Sequence, residues 1–170
     1  NVIQAANLVG ASQIVAIDRV PEKESLARDF GATDFIVSQD DDFDAVAAVK
    51  EVLPLGAHHS FEVVGHTGLL SDAINMTRAG GNVCAVGVPD LIATVTYGFQ
   101  SLHQNKQLMG IRAGGAKPRK DFPMLADLYM RGKLKLDEMI SNTAGLEGIQ
   151  DAFDAMKSGT EARTVLLPHN

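Results

Sequence analysis

A chain of 170 residues is about one domain's worth and long enough to bury a core. With 45% hydrophobic, 21% charged and only 5% aromatic residues, and no Trp, its composition excludes disorder and fibre. Fifteen Lys and Arg against 21 Asp and Glu leave a net charge of −6 and a pI near 5.3, so nucleic acid and anionic lipid are not expected partners.

The chain opens at Asn1 and runs straight into helical spacing at Val2, Ile3, Ala6 and Val9, closed by Gly10, with Asn1 the only available cap. It is expected to begin inside an element. Gln13 to Asp18, QIVAID, reads as a strand buried on both sheet faces. A helix follows: Pro21 suits its first turn, Glu22 and Glu24 its positive dipole end, Leu26 and Phe30 its apolar side, and Gly31 its stop. Asp34 to Val37 reads as a strand, and residues 42–53 as a helix with Phe43, Val46, Val49 and Leu53 on one side. Ser60 to Gly65 is a strand, residues 67–78 a helix stopped at Gly80 and Gly81, and Asn82 to Val88 an apolar strand broken off by Pro89.

This alternation with short loops argues a parallel sheet with helices on both faces. Beyond Pro89 the rhythm loosens. Ile92 to Tyr97 and Gln107 to Ile111 look like strands, and Gly114 to Pro118 looks like a hinge or boundary. The tail offers a helix near 122–131, a strand-like Met139 to Ser141, a helix near 146–157 and a final strand from Thr164 to Pro168.

Asp18 closes the first strand, where a dinucleotide-binding unit places the acid that accepts hydrogen bonds from the adenosine ribose. In that unit the acid lies ~20 residues past a glycine-rich turn. Counting back puts the turn at or just before residue 1, with the pyrophosphate at the amino end of the opening helix. Taken alone, Asp18 reads more readily as an ordinary polar residue entering the turn at Arg19, Val20 and Pro21.

Other constellations fail. There is no phosphate-binding loop, no Gly-x-Ser-x-Gly elbow and no zinc-protease helix. Cys84, the lone cysteine, allows no internal disulfide or thiolate zinc site and reads as a small buried hydrophobe in a reducing compartment. His58 and His59 are adjacent on an extended segment and point opposite ways, as surface residues do. Glu62, between Phe61 and Val63, reads as structural rather than as a general base. No apolar run approaches the ~20 residues of a spanning helix and no signal pattern opens the chain, so a cytoplasmic protein is expected.

Three blocks carry a resemblance: NLVGASQIVAIDRVPEKESLARDFGATDFI, SFEVVGHTGLLSDAINMTRAGGNVCAVGVP and DAFDAMKSGTEARTVLL. In order and spacing they resemble the carboxyl-terminal half of the zinc-dependent, medium-chain alcohol dehydrogenases, over essentially the whole chain. The resemblance implies an α/β fold: a Rossmann-type doubly wound parallel sheet lacking its first strand and glycine-rich turn, plus a carboxyl-terminal helix and strand segment. Residues 1–112 would form the NAD-binding domain, incomplete at its amino end, and 113–170 the segment that returns to the catalytic domain. The sheet order 3-2-1-4-5-6 puts the missing strand in the middle. The two edges left open would be closed by pairing across the gap, by a segment of another copy, or by an amino-terminal piece.

The same resemblance implies that Asp18 binds the adenosine ribose and favours NAD over NADP, because a carboxylate repels a 2′-phosphate. Arg19 beside it would soften that preference. Lys23 matches a ribose-contacting lysine. Val64 and Gly65 match the loop over the adenosine and nicotinamide ribose side, and Val86, Gly87 and Val88 the turn that the nicotinamide approaches. Ile111 and Ala113 match main-chain positions near the nicotinamide amide, where Arg112 is more polar than the family pattern. Arg163 matches an arginine whose fork of donors suits the pyrophosphate.

In the family, zinc held in a separate amino-terminal domain lowers the pKa of the bound alcohol before hydride passes to the nicotinamide. None of its ligand motifs occurs here, so no metal site and no catalytic residue is expected in this chain, which alone would be inactive. The implied partners are NAD(H), a small alcohol or aldehyde only with the missing domain, and further copies of the chain through the region from about Leu102 to Ile111. The alternatives are a noncatalytic oligomerisation or nucleotide-sensing module, and a zinc-free quinone reductase relative.

Overall fold

Short β-branched runs bounded by glycine, proline and acidic turns generate a regular helix and strand alternation in the computed structural model, which describes residues 1–38, 42–159 and 161–168. Helix α1 (Val2–Leu8) leads to β1 (Val15–Asp18), a 3-10 turn at Pro21–Lys23, α2 (Glu24–Asp29) and β2 (Asp34–Val37). Then come α3 (Ala45–Val52), β3 (Ala57–Glu62), α4 (Thr67–Met76), β4 (Thr77–Ala85), α5 (Phe99–His103) and β5 (Gln107–Gly110). The chain continues through α6 (Pro118–Met130), β6 (Asn142–Ala144), α7 (Ile149–Ser158) and β7 (Thr164–Leu166). Every strand pairing among the described residues is parallel: β1 with β2, β3 with β4 and β4 with β5, and β6 with β7. Each of these sets by itself has the parallel neighbours of a doubly wound sheet.

The chain divides into two compact units, Asn1–Gln39 with Pro118–Asn170, and Asp40–Lys117. In the first, β1 and β2 run in register from Val15 opposite Asp34 to Asp18 opposite Val37. Ile14, Ala27 and Ala32 are buried beneath Ile3 and Ala6 of α1, with Ala16 and Phe35 of the strands packed alongside. Burying such apolar surface is the main stabilising term, at about 25 cal/mol per Å². The Thr33 hydroxyl accepts from Ile14 N at 2.9 Å and donates to Ile14 O at 3.1 Å, satisfying the strand end. Gln4 ties α1 to the carboxyl-terminal segment: its buried amide donates to Lys135 O at 2.9 Å and accepts from Lys135 N at 2.8 Å. Lys135 Nζ in turn donates to Asp29 O at the end of α2, at 2.7 Å.

In the second unit Ala73, Ile74 and Val83 form the buried cluster, with Leu70, Val95 and Tyr97 against it. Asp44 caps α3 by accepting from Ala47 N at 2.8 Å, as a short acidic side chain does at a helix start. Ser60 and Thr77 share a buried hydroxyl contact at 2.6 Å between β3 and β4. Lys106 Nζ donates to Ile74 O near the end of α4, at 2.7 Å, and burial followed by the nearby Lys50 charge lowers its pKa.

Several expected elements are corrected. The strand expected from Ser60 to Gly65 lies three residues earlier, ending at Glu62, and the one expected from Asn82 to Val88 ends at Ala85. The helix expected over 67–78 ends at Met76, so Gly80 and Gly81, expected to stop it, lie inside β4. Ile92 to Tyr97 is not a strand: residues 93–98 carry no regular structure, and their alternating apolar side chains serve instead to lay Val95 and Tyr97 against α4 and β4. The segment then turns into α5, which apolar periodicity did not indicate. The strand expected at Met139 to Ser141 lies three residues on, because Asp137–Met139 forms a 3-10 turn. Ser141 N and Asn142 N both donate to Arg163 O, at 2.8 and 3.3 Å, and so start the pairing of β6 with β7 there. Among the described residues no helix is long and apolar enough to cross a membrane.

Candidate functional site

Ligands of open parallel α/β sheets bind beyond the carboxyl ends of the strands, and most of the residues singled out from the sequence stand at such ends. Asp18 is the last residue of β1. Its Oδ1 accepts from Val20 N at 3.0 Å, which turns the chain toward Pro21–Lys23. Lys23 Nζ reaches both carboxylate oxygens, at 3.4 and 3.2 Å, and both side chains keep about a third of their surface open, 30% for Lys23 and 34% for Asp18. The end of α7 lies beside this pair. Gly159, in the left-handed region at φ 73°, would bring a β-carbon to 4.0 Å from Lys23 Nζ and 3.9 Å from Val20 Cγ2.

Arg163 stands just before β7, exposed, in the same unit as α1. Arg163 also borders a groove of about 270 Å³ with Phe153, Met156 and Leu166.

In the second unit, Val64 and Gly65 follow β3, Val86 to Val88 follow β4, and Ile111 and Ala113 follow β5. The structure brings the first two groups into contact. A β-carbon on Gly87 would fall on Gly65 N, and one on Gly65 would lie 2.7 Å from Val88 O. Only glycines allow that approach, and Gly65 also has φ 89°. Val64 and Val88 are exposed, so apolar side chains stand out beyond the sheet on each side of the glycines. Ile111 N donates to Ala85 O at 3.1 Å, joining the third group to β4. Ala113 has φ 48°, uncommon for a residue with a β-carbon and of the kind found at functional turns.

Two contributors were not among the predicted site residues. Glu62, assigned only a structural part, is 5% exposed, and its Oε1 accepts from Val64 N and Gly65 N, both at 2.8 Å, and from His66 N at 3.3 Å. The signal was an acid among the apolar Phe61, Val63 and Val64; it is the last residue of β3. Gly159 is legible only as a helix stop; its closeness to Lys23 is a property of the folded unit.

Among the described residues no group of three or more His, Cys, Asp or Glu could hold a metal ion. Zinc therefore has no fitting donor set in them. His58 and His59 are exposed, with His59 Nδ1 3.3 Å from Asn82 Nδ2. Cys84 is buried in β4, and burial pushes its thiol pKa up.

Residues 1–131 match the family model described as zinc-binding dehydrogenase. Alcohol dehydrogenase-like 5 of Arabidopsis thaliana is 36% identical over 165 residues, which are 96% of this chain and 42% of that protein. S-(hydroxymethyl)glutathione dehydrogenase of Paracoccus denitrificans is 32% identical over 177 residues, covering 98% of this chain and 46% of that protein. The crystal structure of benzyl alcohol dehydrogenase from Acinetobacter calcoaceticus superposes with a TM-score of 0.88 at 30% identity, over 96% of this chain and 45% of that one. The chain thus spans less than half the length of these proteins.

Proposed function

Because the chain belongs to the zinc-binding dehydrogenase family, we propose that it binds NAD(H) and is the coenzyme-binding portion of an alcohol dehydrogenase. The observation that carries this reading is the Asp18 carboxylate, held at the carboxyl end of a parallel strand by Val20 N–H and Lys23 and still partly open to solvent. A carboxylate so placed accepts hydrogen bonds from the two hydroxyls of an adenosine ribose and repels a 2′-phosphate, which favours NAD over NADP.

The other roles follow from position. Lys23 contacts the same ribose. Arg163 directs its fork of donors at the pyrophosphate. Val64, Gly65, Val86, Gly87 and Val88 give the nicotinamide and its ribose a close, apolar backbone surface, and Ile111 and Ala113 offer main-chain groups to the carboxamide. When bound, the coenzyme supplies the hydride acceptor; this chain supplies its binding and orientation. Residues 1–112 act as the coenzyme domain and 113–170 as the segment that returns to a catalytic domain carrying zinc and the alcohol or aldehyde site. The cytoplasm is the compartment that suits the single buried Cys84.

Titration with NADH tests the reading. Wild-type chain should change the NADH fluorescence and Asp18→Ala should abolish the change. No change at about millimolar NADH would overturn it. Zinc-dependent ethanol oxidation by the 170-residue chain would overturn its proposed inactivity alone. A second reading, a noncatalytic assembly module, draws on β5, where Leu108 and Met109 are 39% and 41% exposed on a strand paired on one side only among the described residues. Self-association without NADH binding would favour it.

A further inference from the structure

We propose that Glu62 is a positioning residue that sets the separation of the two turns carrying the nicotinamide half of the coenzyme, an inference that rests on the reading above. Its side chain and its own carbonyl act on different turns. Oε1 accepts from Val64 N, Gly65 N and His66 N, which curls the chain leaving β3 back over the strand end. The carbonyl oxygen accepts from Val86 N at 2.8 Å and from Gly87 N at 3.0 Å, which holds the chain leaving β4. One residue therefore fastens five backbone N–H groups from two segments that are far apart in sequence.

The arrangement is expensive unless complete. A carboxylate with 5% of its surface exposed loses its hydration, and only strong, charge-assisted bonds to N–H donors replace it. What those bonds achieve is visible next to them. Beyond adjacent parallel strands the two exits could diverge; here they converge until Gly87 touches Gly65 and Gly65 touches Val88. This leaves the exposed Val64 and Val88 side chains flanking a backbone platform. An acid one methylene shorter holds its oxygens closer to its own strand, so it serves the amides of residues 64–66 only if their turn moves with it. An amide of equal length can, through its oxygen, although it brings an N–H₂ that needs a partner of its own.

The test compares NADH with AMP, since AMP lacks the nicotinamide half, in the protein as purified and in Glu62→Gln, Glu62→Asp and Glu62→Ala. In Glu62→Asp the ratio of NADH to AMP affinity should fall about ten-fold or more, while Glu62→Gln should stay within about three-fold of wild type. Hydrogen exchange at Val64 and Gly65 should accelerate in Glu62→Asp and not at Ile17 in β1, a readout that remains if Glu62→Ala fails to fold. An unchanged ratio in folded Glu62→Asp, or equal losses in Glu62→Gln and Glu62→Asp, overturns the proposal and leaves the coenzyme reading standing. Wild type that binds neither nucleotide overturns both.

Discussion

Lys23 spans the Asp18 carboxylate, its Nζ 3.2 Å from Oδ2 and 3.4 Å from Oδ1, while Val20 N holds Oδ1 from the other side. The pair is about a third exposed, so it contributes at most about 1 kcal/mol to folding. Asp18→Asn keeps an oxygen for Val20 N–H and should change stability by less than about 1 kcal/mol. A lost hydrogen bond to a charged group costs about 1.5–3 kcal/mol, so NADH affinity should fall about ten- to hundred-fold, with the preference for NAD over NADP reduced. Parallel NAD and NADP titrations beside a urea melt check this. Equal weakening of both coenzymes would contradict the assigned role.

Gly87 and Gly110 make a controlled pair. A β-carbon on Gly87 meets the backbone of Gly65 and Val64, whereas one on Gly110 meets nothing within 4 Å, and neither glycine has positive φ. Gly87→Ala should therefore cost about 1–3 kcal/mol, as overpacking does, and weaken NADH. Gly110→Ala should be neutral or slightly stabilising, through a less flexible unfolded chain. Thermal unfolding of both variants decides it. Equal behaviour would mean that the turns after β3 and β4 can separate at no cost.

How much of this was readable in advance varies with how local the cause is. The strand from Asp34 to Val37 could be placed because its apolar run and its neighbouring glycine act over a few residues. Asp18 could be placed because its strand stops where the apolar run does, whereas β3 and β4 end at Glu62 and Ala85, three residues before their apolar runs stop, and only the family resemblance put turns at Val64 to Gly65 and Val86 to Val88. Ile92 to Tyr97 could not: its alternation satisfies a strand, yet Val95 and Tyr97 are taken up by Ile74 and Val83, which is a tertiary choice. The start of β6 was missed by three residues because Arg163 O, far along the chain, selects the pairing. Glu62 was legible as an acid among apolar neighbours, but Val64 and Gly65, whose amides it serves, are residues that the strand pattern assigned to the strand itself.

Arg163 gives a prediction about phosphate. It is exposed just before β7, in the unit that holds Asp18, and a guanidinium fork pairs with two phosphate oxygens where an ammonium acts as a point charge. Arg163→Ala should weaken ADP about ten-fold and adenosine hardly at all. Arg163→Lys should fall between. Calorimetric titration with the two ligands separates these outcomes, and equal losses for ADP and adenosine would remove the arginine from the pyrophosphate.

Asp72, half-buried on α4, is predicted to work against the fold at neutral pH. Burial raises its pKa above the ordinary 3.8, the Asp44 charge raises it further, and His66 opposes them. The folded state thus holds this proton more tightly than the unfolded chain does. The sign follows from linkage: where the native state binds more protons, stability falls as pH rises. The carboxyl group is harmless below 3.8, becomes progressively costly as pH climbs from there to its raised native value, and carries its full penalty above that value. Asp72→Asn removes the ionisation, so the variant should exceed wild type in urea midpoint at about pH 7, with the gap narrowing at about pH 4. A gap that widens on acidification would show that Asp72 is stabilised as a carboxylate, and that His66 outweighs burial and Asp44.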